Sequence, residues 1–377
     1  MKLSIVSPFP PIKGGISKET ELLYLILGER YKINIFSYSK LYPAILYPSK
    51  DQHDKEADNF KNDKNINYSL NIINPVSWFY TANNILDSNS THLIFRFWNP
   101  FFIPLYLLII NRVRRKNKSM KILCICDNIF PHEKIPFDKK LIKYFFGKID
   151  NFLVMSTDSE NKLYGIVKSN QKIVKSFLPL KFSYENKMSQ VDALNKLNIK
   201  KSKLTLLFFG FVRDYKGLDI LLESISLIYD LDIKLIIAGK SISNKKRYEK
   251  IIFEKKLNNH ILWHDQYIPD SKVDIYFSAC DVVILPHKHI SQSGIIPLAY
   301  KFNKIIIASN LLSFRENVVE GKTGYLFDNK NSISLKEKIE LVYNNYDCDS
   351  VNTDIVDYNK RYSNQNILED FSEFLSI

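Results

Sequence analysis

No run in this sequence is long and apolar enough to span a bilayer. The longest, FFIPLYLLII at 101–110, covers about half a span and is interrupted by Pro104. A secretory leader is missing as well, since LSIV gives way to Ser7-Pro8 far short of an apolar h-region. We therefore expect a cytoplasmic protein. Cysteine is scarce: Cys124, Cys126, Cys280 and Cys348 form no CxxC pair, which favours buried thiols over a zinc or redox centre. His287 and His289 have no third ligand at a sensible spacing, so no metal and no other cofactor is expected. GxGxxG is absent, which removes the main support for a dinucleotide dehydrogenase. No nucleic-acid recognition motif is present either, and nucleic acid is not expected as a partner.

What is present is an alternation of strand and helix signals. Short β-rich runs occur at 2–7, 32–38, 92–97, 120–126 and 151–156, and again at 204–210, 232–239, 281–286 and 304–309. Helical patterns lie between them, such as SKETELLYLILG at 17–28, where Ser17 is placed to cap. Such alternation implies parallel sheets covered on both faces. With 377 residues, 45% of them hydrophobic, two domains of about 180 residues each are expected. We place the first at 1–178, a linker at 179–202 around Pro179, and the second at 203–360. A last helix in 361–377 is expected to cross back to the first domain. The charged stretch 51–66 reads as a surface loop.

The net charge of +13 is uneven. Residues 1–180 hold 26 Lys and Arg against 15 Asp and Glu, while the remainder is nearly balanced. The densest cluster, NRVRRKNKSMK at 111–121, has six basic residues and no acid, and follows FRFWNPFFIPLYLLII directly. Arg112, Arg114, Arg115 and Lys116 would suit an anionic membrane surface. A core helix with a solvated basic end is the competing reading.

Three loops at strand ends could carry chemistry. In PFPPIKGGIS, Gly14 and Gly15 allow close backbone approach before a helix with free N–H groups, or simply make a tight turn. In FFGFVRDYKG, Arg213 and Lys216 are three apart just past a strand and can converge on a diphosphate, although solvated charges often look alike. In ISQSGIIPLAY, at 290–300, there is no carboxylate and no lysine within the loop. Ser291, Gln292 and Ser293, with the backbone of Gly294 and Ile295, offer hydroxyls and amides to phosphate or sugar oxygens.

Taken in order, these pieces resemble glycosyltransferase family 4. The resemblance runs through FFGFVRDYKGLDILLES, WHDQYIPDSKVDIYFSACDVVILP and SQSGIIPLAYKFNKIIIASNLLSFRENVVEGKTGYLF. In the first half it includes the double glycine and FWNPFF leading to CDNIFPHE. It implies an α/β protein of GT-B architecture, two doubly wound Rossmann-like domains facing a central cleft. It also implies a nucleotide-diphosphate sugar bound by the second domain, a glycan or lipid-linked acceptor bound by the first, retention of configuration, and no metal. Arg213 and Lys216 take the donor diphosphate in this reading, and Glu316 matches a recurrent glutamate near the donor, or caps the helix that follows. Asn128, His132 and Glu133 fall on the acceptor side, with His132 in catalysis or in loop packing.

Three departures stand out. Phe211 takes the place usual for an Arg. Asp127 replaces a histidine, where it would act as a base or orient a sugar hydroxyl. The usual pair of glutamates is replaced by Ile290 and Leu298, or by Ser291 and Ala299, depending on the alignment. The SQSG loop is then a variant donor site or a lost one. Rival readings are a nucleotide-sugar epimerase or hydrolase of the same fold, and a silent sugar- or membrane-binding subunit.

Overall fold

The computed structural model describes residues 1–43, 52–53, 60, 62–130, 138–177, 188–242, 244–290, 293–345, 354–356 and 358–376. Two compact units emerge, Met1–Leu180 with Tyr362–Ile377, and Lys181–Arg361.

The first unit is built on β1 (Lys2–Val6), β2 (Lys32–Lys40), β3 (Ile66–Asn71), β4 (His92–Phe97), β5 (Lys121–Cys126), β6 (Asn151–Val154) and β7 (Lys172–Lys175). Their spatial order is β3-β2-β1-β4-β5-β6-β7, and neighbours pair in parallel throughout. Helices α1 (Gly15–Gly28), α2 (Pro75–Asp87), α3 (Ile103–Lys116), α4 (Asp138–Phe146) and α5 (Thr157–Tyr164) make the crossovers. α2, α3, α4 and α5 bury apolar side chains on one face of the sheet. α1 and the last helix, Asn364–Leu375, cover the other through Leu23, Ile26, Leu27, Ile367, Leu368 and Phe371. Tyr31 Oη and Ser372 Oγ lie 2.9 Å apart and help hold that helix in place.

The second unit repeats the plan with β8 (Leu204–Phe209), β9 (Ile233–Ala238), β10 (Ile261–His264), β11 (Val282–Leu285), β12 (Ile305–Ser309) and β13 (Gly324–Phe327). Their order, β10-β9-β8-β11-β12-β13, is the doubly wound one that reverses between its first and fourth strands. Its helices are α6 (Gln190–Lys196), α7 (Leu218–Ser226), α8 (Lys245–Glu254), α9 (Val273–Ala279), α10 (Ile295–Lys301), α11 (Leu312–Arg315) and α12 (Ser332–Asn345).

Several sequence expectations change. Residues 190–196, inside the expected linker, form α6, because Ser189 Oγ caps it by accepting from Asp192 N at 3.1 Å. Gln190 also reaches Asp281 Oδ1 at 2.7 Å. Ser17 does not cap α1. The helix begins two residues earlier, at Gly15, and Ser17 is buried within its first turn. Phe101–Ile110 is not a membrane-facing stretch, since α3 turns Ile103, Leu105, Tyr106, Ile109 and Ile110 into the core. Half of the stretch 51–66 lies outside the described residues, as does Cys348. The other three cysteines are buried thiols.

Strand ends crowd tightly in the second unit. Gly217 has φ 71°, and a Cβ there would sit 1.8 Å from the Pro286 carbonyl oxygen. A Gly217→Ala variant should therefore lose about 2–4 kcal/mol of stability in urea unfolding. Gly28→Ala, with nothing within 4 Å of the added carbon, should be neutral or slightly stabilising.

Candidate functional site

In each sheet the loops after two adjacent strands turn to opposite faces and leave a crevice at the carboxyl ends, where ligands of such folds gather. In the second unit this point lies between β8 and β11. The segment after β8 leaves the sheet at Gly210 (φ 92°), whose N–H donates to Ala238 O at 2.9 Å. Gly239 is needed beside it, because a Cβ there would lie 2.0 Å from Gly210 O. The chain then makes one tight turn, Asp214–Lys216, and Gly217 opens α7 against Pro286. Lys288 N donates to Tyr215 O at 2.7 Å, fastening this loop to the one after β11.

The geometry folds Lys216 back over the strand end. Its Nζ donates to Phe209 O at a long 3.4 Å and stands where a Gly210 side chain would go. Burial, with the Arg213 charge second, lowers its pKa from 10.5 to about 8. Arg213 is exposed and makes no ion pair among the described residues. The nearby acids are engaged elsewhere: Asp219 Oδ2 accepts from Lys288 and Arg247, each at 2.8 Å, and Asp214 Oδ1 accepts from Tyr248 at 3.0 Å. Two cations thus meet at the crevice with no carboxylate neutralising them among the described residues. Beside them His287 is buried, its ring edge-on to Phe314 at 5.4 Å. Burial and the Lys216 charge push its pKa down to about 3, so it is neutral at physiological pH.

In the first unit the corresponding point lies between β1 and β4, and a buried cation occupies it. Arg96, near the end of β4, is 1% exposed. It donates from Nε to Asp127 Oδ2 at 2.7 Å and from Nη2 to Asp127 Oδ1 at 2.8 Å, a two-pronged clamp. Nη2 also reaches Glu19, while Nη1 reaches Thr20 Oγ1 at 3.2 Å and Ile16 O at 3.3 Å. Arg96 therefore ties the first turn of α1 to the ends of β4 and β5. Glu19 keeps 23% of its side chain exposed, and its Oε1 lies 3.9 Å from where a Gly15 Cβ would be. Burial raises its pKa from 4.5 to about 7 despite Arg96, and the Asp127 charge adds to the rise.

With this geometry in view, residues 190–362 match the family described as Glycosyl transferases group 1. The match covers just under half of the chain. A Klebsiella pneumoniae protein described as "Uncharacterized 41.2 kDa protein in cps region" is 25% identical over 207 residues, 52% of this chain and 55% of that one. A GDP-mannose:glycolipid 4-beta-D-mannosyltransferase of Xanthomonas campestris pv. campestris is 29% identical over 105 residues, 27% of this chain and 29% of its own. The chain thus spans about half the length of these curated relatives, or less. Among solved structures, a glycosyltransferase from Rickettsia africae superposes with a TM-score of 0.75 at 17% identity, covering 100% of this chain and 98% of that one. Anabaena Alr3699/HepE in complex with UDP gives 0.75 at 12% identity, covering 100% of both. The chain has the fold of the GT-B glycosyltransferases, two Rossmann-like parallel-sheet domains.

Within the matched region, Arg213 and Lys216 share the loop after β8, near enough for the Arg213 charge to help lower the Lys216 pKa. Ser293 Oγ accepts from Ile295 N at 3.3 Å at the start of α10, so this hydroxyl and this amide engage each other. Gly294 has open space where a Cβ would be. Ser291 and Gln292 lie outside the described residues. Glu316 caps no following helix. It ends α11, half-buried, and its carbonyl accepts from Tyr358 Oη at 2.8 Å. In the first unit Gly14 and Gly15 start α1, Asn128 is half-buried beside Asp127, and His132 and Glu133 lie outside the described residues. Arg114 makes a two-pronged pair with Asp150 at 2.7 and 2.8 Å, which removes it from the solvated cluster. Arg112, Arg115 and Lys116 remain on the surface of α3. Sequence reasoning missed Arg96 and Glu19. The available signal was a lone arginine inside the apolar run LIFRFW, which burial obliges to find an acid.

Two substitutions test the Arg96 cluster. Asp127→Asn leaves the buried guanidinium poorly compensated and should cost about 3–5 kcal/mol of unfolding free energy. Glu19 binds a proton in the folded protein up to about pH 7 but only to about 4.5 when unfolded. Stability should therefore fall as pH rises through that window. In Glu19→Gln, denaturant unfolding at a series of pH values should show that fall removed.

Proposed function

We propose that the protein transfers a sugar from a nucleotide-diphosphate sugar to a hydroxyl of a glycan or lipid-linked acceptor, with retention of configuration, as a member of glycosyltransferase family 4 in its SQSG variant. The product would serve surface polysaccharide or glycoconjugate synthesis. The observation that carries this reading is the pair Arg213 and Lys216, uncompensated by any acid among the described residues and set at the crevice of a region matching glycosyltransferases. Support for the donor comes from neighbours of the same fold solved with UDP and with UDP-glucose. A relative named for glycolipid mannosylation and another from a cps region support the acceptor class.

In this reading Arg213 forks onto the diphosphate and Lys216 supplies a point charge, and together they stabilise the leaving nucleotide as the glycosidic bond breaks. That is the work a metal ion does elsewhere, and we propose that no metal or other cofactor is required. Ser291, Gln292, Ser293, Gly294 and Ile295 complete the donor pocket, with Glu316 beside it. On the acceptor side, Gly14, Gly15, Asn128, His132 and Glu133 receive the incoming hydroxyl. Asp127, clamped by Arg96, orients that site. The protein would work in the cytoplasm, peripheral to an anionic membrane through Arg112, Arg115, Lys116 and the partly engaged Arg114. Among the described residues no helix is long and apolar enough to cross one.

Thermal-shift or calorimetric titration with UDP, GDP, ADP and CMP should yield one clear hit. Arg213→Ala and Lys216→Ala should each weaken it by about tenfold to a hundredfold, as expected for loss of a charge-assisted hydrogen bond. Unchanged affinity in both would sink the donor-site assignment. Because Lys216 titrates near 8, an anion that favours its charged form should bind less tightly as pH rises above that value. Lys216→Ala should bind with little dependence on pH over the same range, whereas a wild type flat from pH 7 to 10 would place the phosphates away from this lysine.

A further inference from the structure

In a parallel sheet every crossover helix starts at the rim where the strands end, so α2, α3 and α4 all begin at the edge that carries Gly14, Gly15 and Asp127. α2 turns Ala82 and Ile85 into the core. Its other side is also apolar: Val76 is 74% exposed, Tyr80 58% and Phe79 51%, and Ile73 just before the helix is 56% exposed. Positions 76, 79 and 80 share one side of the first two turns, and Ile73 stands just ahead of the N-cap Asn74. A contiguous patch of large apolar groups of this kind marks an interaction site.

The charges around the patch say what it faces. Arg112 of α3 donates from Nε to Asn83 Oδ1 of α2 at 3.1 Å, which sets a guanidinium about one turn beyond Tyr80. Arg115 and Lys116 follow on α3, and α4 exposes Lys139, Lys140 and Lys143 beside Leu141 and Tyr144. α2 and α3 carry a single acid between them, Asp87, in the last turn of α2. Apolar and aromatic groups flanked by cations match an anionic lipid interface, with rings entering the headgroup region and cations meeting phosphates. A second copy of this chain would set the same cations against each other.

We propose that this face of the first unit, led by Ile73, Val76, Phe79 and Tyr80, docks on an anionic lipid surface. The proposal rests on the reading of a lipid-linked acceptor and moves the apolar part of the contact from α3, whose bulk is core, to the outward side of α2. Docking there would bring the rim with Gly14, Gly15 and Asp127 to the surface where such an acceptor resides.

The test uses the full chain and sedimentable vesicles of phosphatidylcholine, alone or with about one third phosphatidylglycerol. The wild type should sediment with the anionic vesicles and far less with the neutral ones. A triple variant, Val76→Ser, Phe79→Ser and Tyr80→Ser, should bind about tenfold more weakly or worse. Arg112→Ser with Arg115→Ser and Lys116→Ser should also bind more weakly and respond less to salt. Apart from half-buried Arg112, whose contact with Asn83 is a surface one, both variants change exposed positions and should keep the wild-type melting temperature and nucleotide response. The proposal is overturned if the wild type ignores anionic vesicles or if the triple variant binds them as the wild type does. A wild-type dimer by light scattering that the triple variant turns into a monomer would overturn it too, in favour of a second copy. Vesicle binding without any nucleotide response would leave the docking face standing and remove the transferase reading instead.

Discussion

A parallel sheet delivers all its strand ends to one rim, and each half of this chain is organised by that constraint. The order reverses beside the first strand of each sheet, so loops part there and leave room. Backbones must then approach closely on either side of the gap. In the second unit that need accounts for the glycines at 210, 217 and 239, whose missing side chains would collide with Lys216 Nζ, Pro286 O and Gly210 O. The tight packing is what allows a lysine to lie back over the strand end, at the mouth of the crevice.

The two crevices handle a cation drawn out of water, fully buried in one and half-buried in the other, in opposite ways. Arg96 meets two carboxylates and a carbonyl, so its charge is satisfied within the fold. Removing one partner of such a cluster costs several kcal/mol, because the remaining charge is stranded. Asp127 is therefore committed to holding β4, β5 and α1 together, which suits it to positioning a substrate more than to taking a proton. Glu19, reaching solvent from the same cluster, is the group there that titrates near neutrality. Lys216 pairs with no acid among the described residues, and burial, with the Arg213 charge second, lowers its pKa.

How legible the protein is in its sequence follows the burial of each part. The strands evident from composition are interior ones, where both faces are covered and residues run apolar without break, as in LTLLFF and VVIL. The four that composition hides, β3, β7, β10 and β13, are the four sheet edges. Their sequences, such as KIVK and ILWH, are mixed because one side of the ladder is open. Arg213 and Lys216 could be read as a pair from the sequence because they share one short loop. The Arg96 cluster was not, since its members lie 77 and 31 residues apart and meet only through the topology. α3 misled for a related reason: an apolar helix with a basic end reads alike on a core and on a membrane, and only the exposed side of α2 separates the two.

Among the described residues no acid pairs with Lys216, and that has a physical consequence. A carboxylate beside that ammonium would restore its ordinary pKa, satisfy its charge, and compete with any phosphate for the same donors. Without one, the cation stays poorly solvated in the free protein, and an anionic ligand gains by relieving it. A site drifting out of use would be expected to shed that burden, either by acquiring a partner acid or by turning the lysine out to water. The burial of Lys216, the engagement of Asp214 and Asp219 by other groups, and the glycine that makes room for its ammonium all keep the charge uncompensated. That arrangement costs stability in the free protein, and an anionic ligand that relieved it would return that cost on binding.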